Sequence, residues 1–226
     1  EAKRTELELS GLIPVQEIPS NTHRGSDMYL YGIYKWMQLF NTRQLLTLST
    51  YAATIRDARE VIWSKYEDER TEALVTYLSL IFDRCADSNC KLAHWDASRV
   101  SVKAGSAQHS LSLMWNYPEG IGAGDLWHKC ADVFASEYKT LCSLLGEDSQ
   151  NIFTAEKQDL KSVQICAASA DALHHILDGS LLAVVTDPPY YDAIRYSEIS
   201  DFFYVWLRAN LLDVFPDLFS NELTDK

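Results

Sequence analysis

The sequence predicts an α/β protein in which a mainly helical N-terminal region precedes part of a parallel sheet. Three observations carry this. From Asp27 to Ala86 apolar residues recur at spacings of three and four, the period of helices with one buried face. After Trp95 short apolar runs alternate with helical patterns, which implies right-handed crossovers between parallel strands. The run Leu181 to Val185 is apolar without alternation, as central strands of parallel sheets are.

The elements follow in order. Residues 1–26 hold Pro14, Pro19, Gly11 and Gly25 among polar residues and read as an extended N-terminal segment, with a short strand at most, lying on the outside. A helical region over 27–96 comes next. Tyr29, Ile33, Trp36, Met37 and Phe40 mark a first helix ended by Asn41. Asn41 with Gln44 forms a capping box for a second, carrying Leu45, Leu48, Tyr51 and Ile55. Leu74, Val75, Leu78, Ile81 and Phe82 mark a third, about Glu69 to Ala86. Over 97–226 the pattern gives a short apolar run Leu111 to Trp115, a helix capped by Asp125, a strand Val163 to Ala168, and helical turns from Ala170. The buried strand Leu181 to Thr186 and an aromatic helix Ser197 to Leu212 complete it. The aromatic helix reads as core, Arg208 as solvated surface, and Arg195 as a residue able to meet phosphate.

Composition narrows the function. Lys and Arg total 20 against 32 Asp and Glu, a formal charge of -12. That sign excludes a domain that holds a phosphate backbone by bulk electrostatics, so any nucleic-acid contact must be local. The five cysteines form no CxxC pair and are odd in number, which points to reduced thiols in a cytoplasmic protein. Cys85, Cys90 and His94 lack a fourth ligand for zinc, so no metal is expected. No apolar run approaches the ~18 residues of a membrane span, and no signal peptide opens the chain. The first residue is not Met, and the chain reads as an internal fragment.

The run "TDPPYYD" after Val185 carries the chemistry. Pro188 and Pro189 fix φ and lack N–H donors, so the Asp187 carboxylate and the Pro188 carbonyl form two acceptors held side by side. Two acceptors without a donor suit an NH2 group. Tyr190 adds a flat surface for stacking the heterocycle that bears the amine. Such a pair stabilises the positive charge that develops as nitrogen attacks a methyl group. Set beside this, an acid and prolines at a strand end also serve simply to stop the strand.

The tetrad Asp187, Pro188, Pro189 and Tyr190 resembles the catalytic motif of S-adenosylmethionine-dependent amino-methyltransferases of DNA, acting on adenine N6 or cytosine N4. The longer "VVTDPPYYD" with "SEISDFFYVWLR" is similar to the large adenine-specific DNA methylases that carry a zinc ribbon. "LFNTRQLLTLST" and "ALVTYLSLIFDRCAD" with "HWDASR" look like further stretches of that family. The resemblance implies a Rossmann-like methyltransferase sheet and S-adenosyl-L-methionine as cofactor. It implies that Asp187, Pro188 and Tyr190 grip the amine and stack the base, with Tyr191, Asp192 and Arg195 extending the substrate pocket. In that fold the preceding strand ends in an acid that binds the cofactor's adenine; Ser169 stands at this place, with Asp171 two residues on.

A cofactor loop needs glycines where backbone approaches the ligand. The local candidate is "NYPEGIGAGD", with Gly120, Gly122 and Gly124. Pro118 and Glu119 stand where the family has an aromatic residue, and the resemblance places the family's own cofactor loop and zinc ribbon upstream. The expected function is transfer of methyl to an exocyclic amine of DNA, with adenine N6 the leading target. DNA is reached through the full-length protein, and a sheet edge left uncovered leads to self-association. The alternatives are a protein- or DNA-binding module without catalysis, and methylation of RNA or a protein amide.

Overall fold

The computed structural model describes residues 5, 10–19, 27–144, 166, 171–188, 194 and 196–224. By packing the chain divides into two units, Glu1–Ala135 with Tyr191–Lys226, and Ser136–Tyr190. Among the described residues the α-helices are α1 (Thr42–Trp63), α2 (Asp68–Ser88), α3 (Asp125–Leu144) and α4 (Tyr196–Leu211), and the strands are β1 (His94–Asp96) and β2 (Ser101–Lys103).

In the first unit the capping box is made as the spacing predicts. Asn41 Oδ1 accepts from the Gln44 N–H and Gln44 Oε1 accepts from the Asn41 N–H, each at 2.9 Å. α1 then buries Leu45, Leu48, Ala52 and Ile55. α2 opens with Asp68 and Glu69 at its positive end and buries Val75, Phe82, Cys85 and Ala86. α4 packs on both, laying Phe202, Val205, Trp206 and Leu211 into the core. The aromatic centre is continuous. Phe40 stacks on Phe202 with centroids 5.9 Å apart, and Trp206 meets Phe40 at 5.4 Å and Phe82 at 5.3 Å, both edge to face.

Residues 27–40 depart from the helix that their spacing predicts. Two 3-10 turns, Asp27–Tyr31 and Trp36–Leu39, are separated by Gly32 at φ 71°, a left-handed conformation that stops a helix. The extended residues between them pair with the N-terminal segment. Ile18 N–H donates to Tyr34 O at 2.8 Å, Trp36 N–H to Gln16 O at 3.1 Å and Met37 N–H to Pro14 O at 2.9 Å. Ile13 and Ile18 are consequently core residues rather than exterior ones. Backbone pairing with a non-local segment has outweighed a local helical period.

The Rossmann-like parallel sheet of an α/β methyltransferase is overturned. Among the described residues the one sheet is β1 with β2, antiparallel, with Trp95 opposite Val102, and the protein is mostly helical. Leu181 to Thr186, read as a buried central strand, has no regular secondary structure and pairs with no described strand, and Leu182 is 106% and Val185 96% exposed. An unbroken apolar run marks a segment that gains from burial without naming its cover, so it could not by itself establish a sheet. Of the region 97–226 expected to form the partial sheet core, the described part supplies β2, α3, α4 and connecting loops. The predicted strand Val163 to Ala168 lies outside the described residues, except Cys166.

Trp206→Ala is expected to destabilise the first unit by about 3–5 kcal/mol, the usual cost of emptying a core aromatic site. Urea unfolding followed by far-UV circular dichroism measures it. A loss below about 1 kcal/mol would contradict the central place given to this ring.

Candidate functional site

The residues predicted to handle substrate and cofactor fall in different parts of the chain. In the second unit, Asp187 and Pro188 lie on exposed, irregular chain that continues from Gly179, a residue at φ 70°. Among the described residues the Asp187 carboxylate accepts no hydrogen bond and pairs with no cation. Asp171 is also exposed in this unit. Pro189, Tyr190, Tyr191, Asp192, Arg195 and Ser169 lie outside the described residues.

Gly120, Gly122 and Gly124 share one loop of the first unit, between the 111–117 segment and α3. The loop is tied down by its own protein. The Gly120 N–H donates to Asn89 Oδ1 at 2.8 Å, and Gly122 O accepts from the Tyr51 hydroxyl at 2.5 Å. A Cβ at Gly122 would stand 2.3 Å from Thr47 Cγ2, and one at Gly120 would stand 3.0 Å from Leu126 Cδ1. Close packing against α1 requires the glycine at 122, while Gly120 lies tight against Leu126 of α3 and Gly124 against Ile121 of the loop itself. Backbone groups already engaged in this way do not fit the methionine part of a cofactor, so no step is routed through this loop.

Glu119, just before it, is the loop's charged clamp. It accepts from Asn41 Nδ2 at 2.7 Å and from Arg43 Nε at 2.8 Å. The Arg43 hydrogen bond holds the Glu119 carboxyl below its ordinary range. Tyr117, Glu119 and Asn41 thus join the loop to the start of α1.

Two cavities of the first unit border these elements. One of 580 Å³ lies along α1 and is mainly apolar, with Leu46, Tyr51, Leu78, Gly122 and Trp127 in its wall. The other, of 400 Å³, opens between residues 31–40 and 113–117, with Tyr31, Gln38, Lys91, Trp115 and Tyr117 in its wall. Sequence reasoning missed this second cavity. The signal available was a tryptophan and a tyrosine set among turn formers in "WNYPEG", which the sequence reading divided between the end of an apolar run, at Trp115, and the glycine-rich candidate loop.

Buried ionisable groups are concentrated on α2. Burial, with the charge of Asp87 second, raises the Asp83 carboxyl well above its ordinary 3.8. Asp87 accepts from Ser106 N at 2.8 Å and Ser106 Oγ at 2.6 Å, yet burial outweighs these bonds and raises it as well. Burial pushes the Cys90 thiol up to about 12, and a hydrogen bond with Cys130 raises Cys85. Cys85 and Cys90 are therefore protonated, packed thiols rather than nucleophiles. Among the described residues no three His, Cys, Asp or Glu are grouped to hold a metal ion, and no helix is long and apolar enough to cross a membrane. No family model, curated protein or solved structure matches the chain.

Asp83 gives a pH prediction. A carboxyl whose folded pKa lies above its unfolded value contributes its stability below the unfolded pKa, and loses it as pH rises towards the folded one. As pH rises above about 4 the unfolding free energy of the protein should fall relative to that of Asp83→Asn, by up to about 1.4 kcal/mol per pH unit. Urea denaturation of both at successive pH values checks the slope. Parallel curves would show that Asp83 is ionised in the fold.

Proposed function

We propose that Asp187 and Pro188 form the amine-holding element of an S-adenosylmethionine-dependent methyltransferase that acts on an exocyclic amino group of DNA. Adenine N6 is the leading target. The observation that carries this reading is the state of Asp187: exposed, free of any described cation or hydrogen-bond donor, and joined directly to Pro188. An acid whose role was to tie off the chain would be spent on a neighbouring donor.

The chain's own residues have a defined task in this reading. The carboxylate of Asp187 and the carbonyl of Pro188 accept the two hydrogens of the NH2 group. Ring strain in neither proline changes this; what matters is that no N–H at Pro188 or Pro189 competes for those acceptors. Holding both hydrogens draws the nitrogen lone pair out of conjugation and stabilises the charge that grows on it. Tyr190, next in the sequence, supplies the stacking surface. The methyl group itself comes from the sulfonium of the cofactor. The glycine loop of the first unit is left out of the site.

The reading is tested by incubating the protein with tritiated S-adenosylmethionine and DNA and identifying the methylated base by mass spectrometry. Asp187→Ala is expected to lower the rate about 100- to 1000-fold, the effect of losing one preorganised electrostatic partner. Its circular dichroism should be unchanged, since the side chain is exposed. Methylation that survives the substitution, or no transfer to DNA by the unsubstituted protein, would overturn the assignment.

A further inference from the structure

The 400 Å³ cavity of the first unit has the size of a small-ligand site and a lining of unusual chemistry for this chain. Trp115 is 89% exposed and Tyr31 55% exposed. Their ring centroids are 6.4 Å apart with planes at 78°, so the two rings form an open corner: one offers a face, the other closes the side. The corner is held by backbone. The Lys91 N–H donates to Leu39 O at 2.8 Å, and the Met114 N–H donates to Lys91 O at 2.8 Å, which fixes the approach to Trp115.

The polar side chains of the wall present hydrogens. Lys91 Nζ donates to Gln38 O at 2.8 Å and places an ammonium group in the cavity wall. Gln38 Oε1 accepts from the Tyr34 and Lys35 N–H groups at 2.7 and 2.8 Å, which fixes the amide and leaves Nε2 with two hydrogens unused among the described residues. The Tyr117 oxygen accepts from Asn41 Nδ2 at 3.4 Å, so its own hydrogen remains to give. Among the described residues no carboxylate lines the cavity, although the chain has 32 acids against 20 bases. A ligand for this place must be flat, rich in acceptors, and neutral or anionic. A cation would be repelled by Lys91, and a peptide aromatic ring brings too few acceptors.

We propose that this cavity binds a nucleotide, its base lying on Trp115 with Tyr31 at the edge, its acceptors on Gln38 and Tyr117, and its phosphate towards Lys91. The chemistry is shared by a free nucleotide and by one unit of a single strand. The inference goes beyond methyl transfer and requires neither Asp187 nor a methyl donor, because the cavity belongs wholly to the first unit.

Calorimetric titration of the protein with adenosine monophosphate, with ribose 5-phosphate and with a short single-stranded oligonucleotide tests it. The monophosphate is expected to bind at least roughly tenfold more tightly than ribose 5-phosphate, and Trp115→Ala to weaken it roughly tenfold or more, the scale of one lost stacking contact. Both exposed rings can be removed without touching the core, and Tyr31→Ala should give a smaller loss in the same direction. Tighter binding of the oligonucleotide, with the same sensitivity to Trp115→Ala, assigns the cavity to a strand; weaker binding assigns it to a free nucleotide. Binding that depends on Trp115 and methyl transfer that depends on Asp187 are read separately, so failure of the methyl-transfer reading and failure of this one are distinguishable. Absence of binding by both nucleotide probes, equal affinity for ribose 5-phosphate, or affinities indifferent to both Trp115→Ala and Tyr31→Ala would overturn the proposal.

Discussion

The contact between α4 and the residues just before α1 is the constraint on which the first unit depends. Phe40 caps the second 3-10 turn, and its ring is stacked within 16° of parallel on Phe202 of α4. Trp206, one turn along, fills the space between Phe40 and Phe82 of α2. One helix near the C-terminus therefore closes a core begun near the N-terminus. Because these partners are distant in sequence, their contact must offset the entropy of closing the chain between them. Polar bonds then fix the end of α4: Arg56 Nη2 donates to Ala209 O at 2.6 Å, and Arg59 pairs with Asp213 at 3.1 Å. Arg208 donates through Nε to Phe219 O and Asn221 O at 3.1 and 2.9 Å, holding the chain that follows. Its position in the sequence suggested solvated surface. The guanidinium instead serves as a clasp for backbone carbonyls.

Where α1, α2 and α4 begin was largely legible, because caps and apolar periods act locally. Asn41 and Gln44 need only three residues of chain to satisfy each other, so the sequence alone specifies that helix start. The aromatic run Phe202 to Trp206 could be read as core for the same reason: its residues cover more than one face of a helix. What failed was everything decided at long range. Ile33 and Trp36 carry a helical spacing, but Gly32 turns the chain and the 14–18 segment offers backbone partners. The Gly120 to Gly124 cluster has the composition of a ligand loop, yet Thr47 and Leu126, far away in sequence or one turn ahead, determine why no Cβ fits. A glycine says that something is close; it does not say what.

The two candidate sites differ in how their residues are held, and that difference sets what each can do. Tyr31, Gln38 and Trp115 stand on turns locked by backbone bonds to a packed core, so a ligand meets a surface already in place. Binding there requires little reorganisation. Asp187 stands on a segment where Leu182 and Val185 are exposed and no described strand pairs with its backbone. Prolines stiffen the tetrad itself, but they cannot position it relative to anything else. Electrostatic catalysis needs acceptors fixed in advance at the place where charge develops. In the methyl-transfer reading proposed above, the position of the Asp187 acceptors depends on what covers Leu181 to Val185. In that reading, burial of the run and fixing of the Asp187 carboxylate would be one physical event, with the apolar side chains supplying the free energy.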